Sequence, residues 1–264
     1  MAVIEQYEVE AYNLSHASEN KIHDDAIARK LGFTGALVPG VEVYAYASHL
    51  FIRHWGRAWL ERGTADIRFF KPVYDGRIAR CTSEATATGI KVTVESEGQL
   101  CASGEAALPE GPAPELGEYR AVTPPAERPP ASEATLAEGT WLATRPVVMD
   151  ATTHAAYLRD VREASPLYAA EGLVHPGQIL RLCNQALTQN VVVNPWIHVG
   201  SRLRNLALAR VGQEMVARAR VVSNYDRKGH RLLDMDVLVL ADGRPVTQVL
   251  HTAVWRPRQL AEAA

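Results

Sequence analysis

The sequence has few cysteines, almost no net charge and no long apolar segment. Its three cysteines, Cys81, Cys101 and Cys183, form no Cys-x-x-Cys pair, which argues against a disulfide framework and a thiolate metal site. Twenty-eight basic and 30 acidic residues give a net charge of −2, so no overall field favours nucleic acid or an anionic membrane. The longest apolar runs, residues 41–50 and 237–241, are far shorter than the roughly 20 residues of a membrane-spanning helix.

Several functional motifs are also missing. The sequence has no glycine-rich phosphate loop, dinucleotide fingerprint, Gly-x-Ser-x-Gly elbow or zinc-binding spacing. Nucleotide hydrolysis and redox chemistry are therefore disfavoured, and no metal or other cofactor is expected. Residues 1–20 contain four glutamates and no lysine or arginine, which argues against a secretory signal. We therefore expect a cytoplasmic protein, and an apolar content of 47 % is typical of a globular one.

A proline-rich segment divides the chain into two units of similar size. Seven of the 15 prolines lie between residues 109 and 139, which disfavours a helix or a central strand there. We therefore predict an N-terminal domain at residues 1–108, a linker at 109–139 and a C-terminal domain at 140–264.

The two units share landmarks at a nearly constant separation. Pro39-Gly40 precedes an apolar helical run in the first unit, and Pro176-Gly177 precedes one in the second, 137 positions further on. The segment that begins Ile67-Arg68 resembles the one that begins Leu203-Arg204, 136 positions further on. This repetition predicts duplication of one structural unit.

Each unit has the pattern of one long helix followed by antiparallel strands. Residues 41–54 are apolar nearly all round, which predicts a buried helix, and residues 178–189 carry a single apolar stripe. Asp242-Gly243 predicts a hairpin turn. Strands are predicted at 64–74, 77–88, 91–98, 99–108, 197–209, 213–224, 230–240 and 244–256. This order predicts an α+β fold in which a sheet wraps around a helix, twice.

The segment before the first long helix carries a more specific motif. It reads Asn20-x-Ile22-His23-x-Asp25, followed by Gly32-Phe33 and Leu37-Val38-Pro39-Gly40. This pattern resembles the hydratase signature of the MaoC-like dehydratases, the (R)-specific enoyl-CoA hydratases with a hot-dog fold. The resemblance covers residues 7–108 with the motif and residues 145–256 by pattern alone. It implies a double hot-dog fold, with two antiparallel sheets that each wrap around a long central helix.

The resemblance also implies roles for individual residues. His23 matches the family's catalytic histidine, Asn20 matches its asparagine, and the N–H of Gly40 or a neighbour matches the contact to the thioester oxygen. Hydration of a 2-enoyl thioester needs a base for water and an acid for the α-carbon, and a histidine suits the base. Asn20 can orient the water, while amides at the helix start around Pro39 and Val41 can stabilise the enolate-like oxygen.

Two positions depart from the family's motif. Lys21 replaces a proline, and Ser18 stands where the signature has an aspartate. A serine hydroxyl is un-ionised near neutral pH, so it cannot replace a carboxylate as acid or base. In one interpretation His23 acts alone on water and Ser18 holds it by a hydrogen bond. In a second, the pocket binds a thioester without hydrating it. In a third, a neighbouring carboxylate has taken the role: Glu19, Asp24 or Asp25.

The second unit has no counterpart of the motif. The positions that correspond to His23 hold Arg159 and Asp160, so we predict that the N-terminal half is catalytic. His175 and His198 are candidates for substrate contact in a pocket shared by the two halves. The predicted substrate-binding set is Asp25, Pro39, Val41, Glu42, His175 and His198.

These observations together predict a hydro-lyase that acts on acyl thioesters. Its partner is a small-molecule acyl thioester, without nucleic acid or membrane, and the chain is expected to be a monomer or a homodimer. Hydrophobic walls from both long helices are expected to receive the acyl chain. One alternative is a thioesterase that uses Glu42 or Asp25, and the other is a non-catalytic thioester-binding protein.

Overall fold

The computed structural model describes residues 4–30 and 32–258, so the outer ends of the two predicted domains, residues 1–3 and 259–264, lie outside the described part. The N-terminal half contains five strands and three helices, with a 3-10 turn at Lys21–His23. The strands are β1 (Ile4–Glu10), β2 (Thr64–Phe69), β3 (Ile78–Ala85), β4 (Ile90–Ser96) and β5 (Gln99–Ala107). The helices are α1 (Asp25–Lys30), α2 (Gly40–Trp55) and α3 (Arg57–Arg62).

The C-terminal half contains a second long helix and its own set of strands. The strands are β6 (Trp141–Ala143), β7 (Val147–Val148), β8 (Ile197–Asn205), β9 (Glu214–Arg227), β10 (His230–Ala241) and β11 (Arg244–Arg256). The helices are α4 (Ala151–Asp160), α5 (Leu167–Glu171) and α6 (Pro176–Thr188). The long helices α2 and α6 and the eight strands that follow them lie where the sequence predicts them. The elements that the sequence did not predict are β1, β6, β7, α3, α4 and α5.

The strands of the two halves form one antiparallel sheet. Its order is β1-β3-β4-β5-β2-β8-β11-β10-β9-β6, and β7 also pairs with β9. The halves join where β2 pairs with β8, with Thr64 opposite Arg204 and Arg68 opposite Gly200. The two predicted sheets are therefore joined edge to edge, and the pairing of β2 with β8 covers an edge that each half would otherwise expose.

The apolar pattern of each long helix accounts for its place in the core. Helix α2 is buried at every position from Val41 to Ile52, as its nearly continuous apolar run predicts. Helix α6 buries the predicted stripe, which includes Ile179, Leu182 and Cys183. Each half thus surrounds its long helix with antiparallel strands, and the two helices also contact each other.

The last hairpin shows how local chemistry fixes the register of the sheet. Asp242 and Gly243, which connect β10 to β11, have φ of 47° and 75°. Two successive positive φ angles match the right-handed twist of the flanking strands, and Asp-Gly is a favoured pair for such a turn. The predicted hairpin is confirmed, with Ala241 opposite Arg244.

The two halves are related by a shift of 136 positions. The isolated bridge between Leu37 and Tyr74 recurs between Leu173 and Arg210 (37 to 173, 74 to 210). Likewise α2 begins at Gly40 and α6 at Pro176. The pairing of Pro39-Gly40 with Pro176-Gly177 was therefore wrong by one residue. Because both helices must begin at the same place in the repeat, the residue that corresponds to Pro39 is His175.

The proline-rich connection forms no helix or strand between β5 and β6. It nevertheless packs on the C-terminal half: the Tyr119 hydroxyl donates to Asp236 Oδ1 at 2.8 Å, and the Leu136 side chain is fully buried. The connection is therefore part of the folded structure, and the domain boundaries stay a prediction.

Candidate functional site

A cavity of about 640 Å³ lies between the two halves. Its walls come from the turn before α1, the start of α2, the loop after β2, the second half of α6 and the start of β8. Seven of the ten predicted site residues line it, although they come from both halves of the chain: Ser18, Asn20, His23, Pro39, Gly40, Val41 and His198.

The geometry around His23 defines which ring nitrogen carries the proton. Its Nδ1 lies 2.7 Å from the carbonyl oxygen of Leu37, and a carbonyl can only accept, so Nδ1–H must be the donor. In the neutral ring Nε2 is then an acceptor. Burial lowers the pKa of His23 and outweighs the opposing hydrogen bond to Leu37, while the nearby charge of Arg181 lowers it further. His23 is therefore held as a neutral imidazole that can accept a proton at Nε2.

Asn20 connects the motif to the C-terminal half. Its side-chain Nδ2 donates to the Trp196 carbonyl at 2.9 Å, and its Oδ1 accepts from the Trp196 N–H at 3.3 Å. The same Nδ2 lies 3.5 Å from His23 Nε2, which is too long for a strong hydrogen bond. The Asn20 amide thus fixes the turn that carries His23 to the backbone of Trp196. Because the amide has a second N–H and lines the cavity, its expected role in orienting water stays a prediction.

Ser18 lies in the cavity but does not contact His23. Its hydroxyl donates to the Asn20 carbonyl at 3.2 Å, so it stabilises the turn. The idea that Ser18 holds the histidine by a direct hydrogen bond is therefore wrong. Among the described residues, Glu19 is the only acidic one that lines the cavity, and its carboxylate forms an ion pair with Arg128 at 2.8 Å.

The start of α2 offers unpaired backbone donors to the cavity. The N–H groups of Glu42 and Val43 donate to the Pro39 carbonyl, whereas those of Gly40 and Val41 have no acceptor among the described residues. Pro39, the N-cap residue, supplies no side-chain acceptor. The two free N–H groups at the positive end of the helix dipole can therefore bind a developing negative charge.

Gly40 also packs closely against the C-terminal half. A Cβ atom at this position would lie 3.0 Å from His198 Nδ1 and 3.4 Å from the Phe69 ring. A larger residue would push these side chains away, so glycine permits β8 to approach the helix start.

His198 is a buried, neutral histidine on the cavity wall. Its Nε2 lies 3.1 Å from the Gly200 carbonyl and 2.9 Å from the Ser201 hydroxyl, so Nε2 carries the proton. Burial lowers its pKa to about 3, and its ring stacks on His251 at 4.1 Å between centroids. His198 can therefore contact a bound molecule, but it does not carry charge near neutral pH.

Three predicted residues do not line this cavity, and Glu42 is the first. The Glu42 side chain is fully buried and accepts a hydrogen bond from Arg181 Nε, with 2.6 Å between the atoms. Burial raises the pKa of this carboxyl and the Arg181 guanidinium opposes that effect. The ion pair links α2 to α6, so Glu42 is a structural residue and not a substrate contact.

His175 is the second of these residues, and it caps α6. Its Nδ1 accepts from the Gly177 N–H at 3.0 Å, and its Nε2 donates to Glu163 Oε2 at 3.1 Å. The other oxygen of Glu163 accepts from His49 Nδ1 at 2.7 Å. His175 is thus fully occupied by buried protein contacts, and the expectation of substrate contact is corrected.

Asp25 is the third, and it lines a neighbouring cleft to which His23 also contributes. Its Oδ1 accepts from the Ala36 N–H at 2.7 Å, and that bond, followed by the one from Arg29, lowers the pKa of the carboxyl. Asp25 therefore braces the loop that leads to α2.

The cavity walls differ between the two long helices. Helix α2 contributes Val41 and Val43, as expected, whereas α6 contributes only polar side chains. The expectation that both helices supply hydrophobic walls is therefore wrong for α6. The cavity-lining residues of α6 and its C-cap that the sequence analysis did not predict are Arg181, Asn184, Gln185, Thr188 and Gln189. Their helical spacing is visible in the sequence, but it is meaningful only once the opposite stripe is known to face the core.

Other kinds of site are not found in the described part of the chain. Residues 4–30 and 32–258 contain no group of three or more histidine, cysteine or acidic residues that could hold a metal ion. Among the same residues, none of the helices is sufficiently long and apolar to cross a membrane.

Solved structures with the same architecture identify the fold class. A MaoC-like dehydratase is 13 % identical over 96 % of this chain and 98 % of its own, with a TM-score of 0.63. A conserved hypothetical protein from Mycobacterium tuberculosis, described as having a double hotdog fold, is 15 % identical over 96 % of both chains, with a TM-score of 0.65. An N-terminal dehydratase from the difficidin assembly line is 11 % identical over 98 % of this chain and 96 % of its own, with a TM-score of 0.51.

These similarities confirm the predicted α+β double hot-dog fold and the resemblance to MaoC-like dehydratases at the level of fold. No protein-family model matches the sequence, and no curated protein matches it either.

Proposed function

We propose that this protein is a hydro-lyase that adds water to 2-enoyl thioesters or removes it from 3-hydroxyacyl thioesters. One observation carries the proposal. A neutral His23, with Nε2 as an acceptor, lines the same cavity as the unpaired N–H groups of Gly40 and Val41. A base and an oxyanion site on one cavity are the two elements that this reaction needs.

In the proposed hydration, the thioester oxygen accepts hydrogen bonds from the N–H groups of Gly40 and Val41. Water attacks the β-carbon as His23 Nε2 takes one of its protons, so a C–O bond forms and the electron pair of the double bond moves towards the thioester oxygen. The protonated His23 then returns a proton to the α-carbon, and the enolate collapses to the 3-hydroxyacyl thioester. Dehydration runs through the same steps in reverse.

The absence of an aspartate at position 18 favours a single base. Glu19, the cavity's acidic residue, pairs with Arg128, while Asp24 and Asp25 line the neighbouring cleft. Because the proton that His23 removes can be delivered to the adjacent carbon, one imidazole can serve as base and then as acid.

The thioesterase alternative has less support. It needs a carboxylate that can reach the thioester carbon, but Glu42 is buried in an ion pair with Arg181 and does not line the cavity. Asp25 is similarly engaged with Ala36 and Arg29.

The test is a panel of 2-enoyl-CoA thioesters from short to long acyl chains. Loss of the conjugated enoyl absorbance and release of free thiol are followed together. The proposal predicts loss of absorbance without thiol. Release of thiol would instead identify a thioesterase, and binding without either signal would identify a thioester-binding protein.

A further inference from the structure

Helix α6 turns a polar face towards the cavity. Arg181, Asn184, Gln185 and Thr188 follow the spacing i, i+3, i+4 and i+7, so they lie along one face of the helix. All four line the cavity, while the opposite face of α6 is in the core. The cavity is thus apolar on the α2 side and hydrogen-bonding on the α6 side.

The protein itself makes little use of these groups. Among residues 4–30 and 32–258, the side chains of Asn184, Gln185 and Thr188 have no hydrogen-bond partner, and Asn184 Oδ1 is buried. Arg181 uses Nε for Glu42, but its Nη2 has no partner. A saturated hydrocarbon chain would strip water from these groups and replace none of their hydrogen bonds, which is unfavourable.

The other half of the molecule shows what the same face can bind. A shift of 136 positions relates Gln185 on α6 to His49 on α2. At this corresponding place, the His49 Nδ1–H donates to Glu163 Oε1 at 2.7 Å, and the Ser165 N–H donates to the same oxygen. The residue that corresponds to Gln185, His49, therefore binds a carboxylate oxygen that the chain itself supplies.

We infer that the α6 face formed by Arg181, Asn184, Gln185 and Thr188 is a binding site for an oxygenated acyl group. The substrate then carries a hydroxyl or carboxylate oxygen remote from the thioester, and the Gln185 amide and the Thr188 hydroxyl bind it. This inference rests on the proposed function, because the thioester must lie at His23 and the start of α2 for its acyl group to extend along α6.

Saturated acyl-CoA thioesters test the inference without turnover, since they have no double bond to hydrate. Dissociation constants are measured by calorimetry for two matched sets. The four-carbon set is butanoyl-, 4-hydroxybutanoyl- and succinyl-CoA, and the six-carbon set is hexanoyl-, 6-hydroxyhexanoyl- and adipoyl-CoA. We expect an oxygenated member of at least one set to bind about tenfold more tightly than its hydrocarbon counterpart. Comparison of the hydroxyl and carboxylate members identifies the type of oxygen.

Substitutions then test whether the preference for oxygenated thioesters comes from α6. Gln185→Leu with Thr188→Val should abolish it and leave binding of the hydrocarbon thioester equal or stronger. Gln99→Leu is the matched control, because Gln99 is exposed on β5 and does not line the cavity. A preference that survives the double substitution would overturn the assignment to α6.

The outcomes also separate this inference from the proposed function. If the hydrocarbon thioester binds as tightly as the oxygenated ones in both sets while enoyl-CoA hydration is observed, only the inference fails. If none of the six thioesters binds and no enoyl-CoA is hydrated, both fail.

Discussion

Each half of this molecule has a site at the start of its long helix. One of the two sites is open to the cavity, and the other is filled by protein side chains. The open site lies at the start of α2, with His23, Gly40 and the polar face of α6. The closed site lies at the start of α6, where Glu163 joins His175 to His49. Both are the junction of a helix start with the flank of the other long helix, so the fold alone does not decide which one can bind a ligand.

The N-cap residue is the clearest difference between them. His175 caps α6 by accepting from the Gly177 N–H at 3.0 Å. The corresponding cap of α2 is Pro39, which has no side-chain acceptor, and the corresponding Val41 N–H has no partner within residues 4–30 and 32–258. A capped helix start stabilises the protein, whereas an uncapped one can bind a ligand's oxygen.

The polar side chains inside the two sites also differ in whether they have protein partners. In the closed site a buried carboxylate, Glu163, satisfies two histidines. In the open site the polar side chains of α6 are left for a ligand. The repeated fold thus provides two equivalent sites, one of which is used for stability and the other, in our proposal, for chemistry.

The largest expected effect is on catalysis in the open site. His23→Gln should lower kcat by about 10²–10⁴-fold, because glutamine can still donate to Leu37 but cannot take a proton. Steady-state kinetics with a 2-enoyl-CoA substrate measure it, beside His54→Gln, an exposed histidine on α2. A His23→Gln variant that keeps more than a tenth of the normal kcat would contradict the proposed role of His23.

The closed site should respond in stability and not in catalysis. Glu163→Gln places an amide where two donors, His49 and His175, need acceptors, so the free energy of unfolding should fall by about 2 kcal/mol at pH 7. Chemical denaturation measures this loss, with the exposed Glu84→Gln as a control expected to change it by less than about 0.5 kcal/mol. A kcat changed more than severalfold in Glu163→Gln would contradict the division between the sites.

The same substitution has a defined pH dependence. Burial raises the pKa of Glu163, but hydrogen bonds from His175 and His49 outweigh it and lower the pKa to about 2. A carboxyl whose pKa falls on folding stabilises the protein above its unfolded value of 4.5, and this stabilisation is lost as pH falls towards 2. The native protein should therefore lose more stability between pH 4.5 and 2 than Glu163→Gln does.

Adding a cap to the open site would make it resemble the closed one. Pro39→Ser places a hydroxyl that can accept from the Val41 or Glu42 N–H, in competition with the thioester oxygen. Relative to Pro39→Ala, the serine variant should be about 1 kcal/mol more stable and about tenfold lower in kcat/KM. Equal kcat/KM in the two variants would show that these N–H groups do not bind the thioester.

The smallest effect is in the pH profile. Because burial lowers the pKa of His23 below 6.5, its neutral form persists below the usual histidine range. The kcat/KM should therefore be constant above pH 6.5 and fall only in more acidic solution. An inflection at pH 7 or higher would indicate a different base.

The sequence predicts those parts of the site that lie close together along the chain. Asn20, His23 and Gly40 all belong to the one motif that the sequence analysis found. The apolar patterns of α2 and α6 are strong enough to predict both helices. Long-range polar contacts could not be found this way. Glu42 pairs with Arg181, and Asn20 binds Trp196 at a separation of 176 residues, so both roles depend on tertiary geometry.

His175 shows a different kind of limit. Its position beside Pro176-Gly177 suggested a ligand contact, but whether a histidine at a helix start binds a ligand or caps the helix depends on its rotamer. Here Nδ1 turns back to the Gly177 N–H and Glu163 occupies Nε2. The sequence also left the offset of the repeat open between 136 and 137, and the helix starts at Gly40 and Pro176 make His175 the counterpart of Pro39.

The central claim is that the open site hydrates a thioester through His23, and isotopic labelling tests it most directly. A 2-enoyl-CoA incubated with the protein in heavy water should give a 3-hydroxyacyl-CoA with deuterium at the α-carbon, detected by mass spectrometry. The native protein should form this labelled product, and His23→Gln should form almost none of it. An unchanged enoyl-CoA with the native protein, or an equal yield of labelled product with His23→Gln, would contradict it.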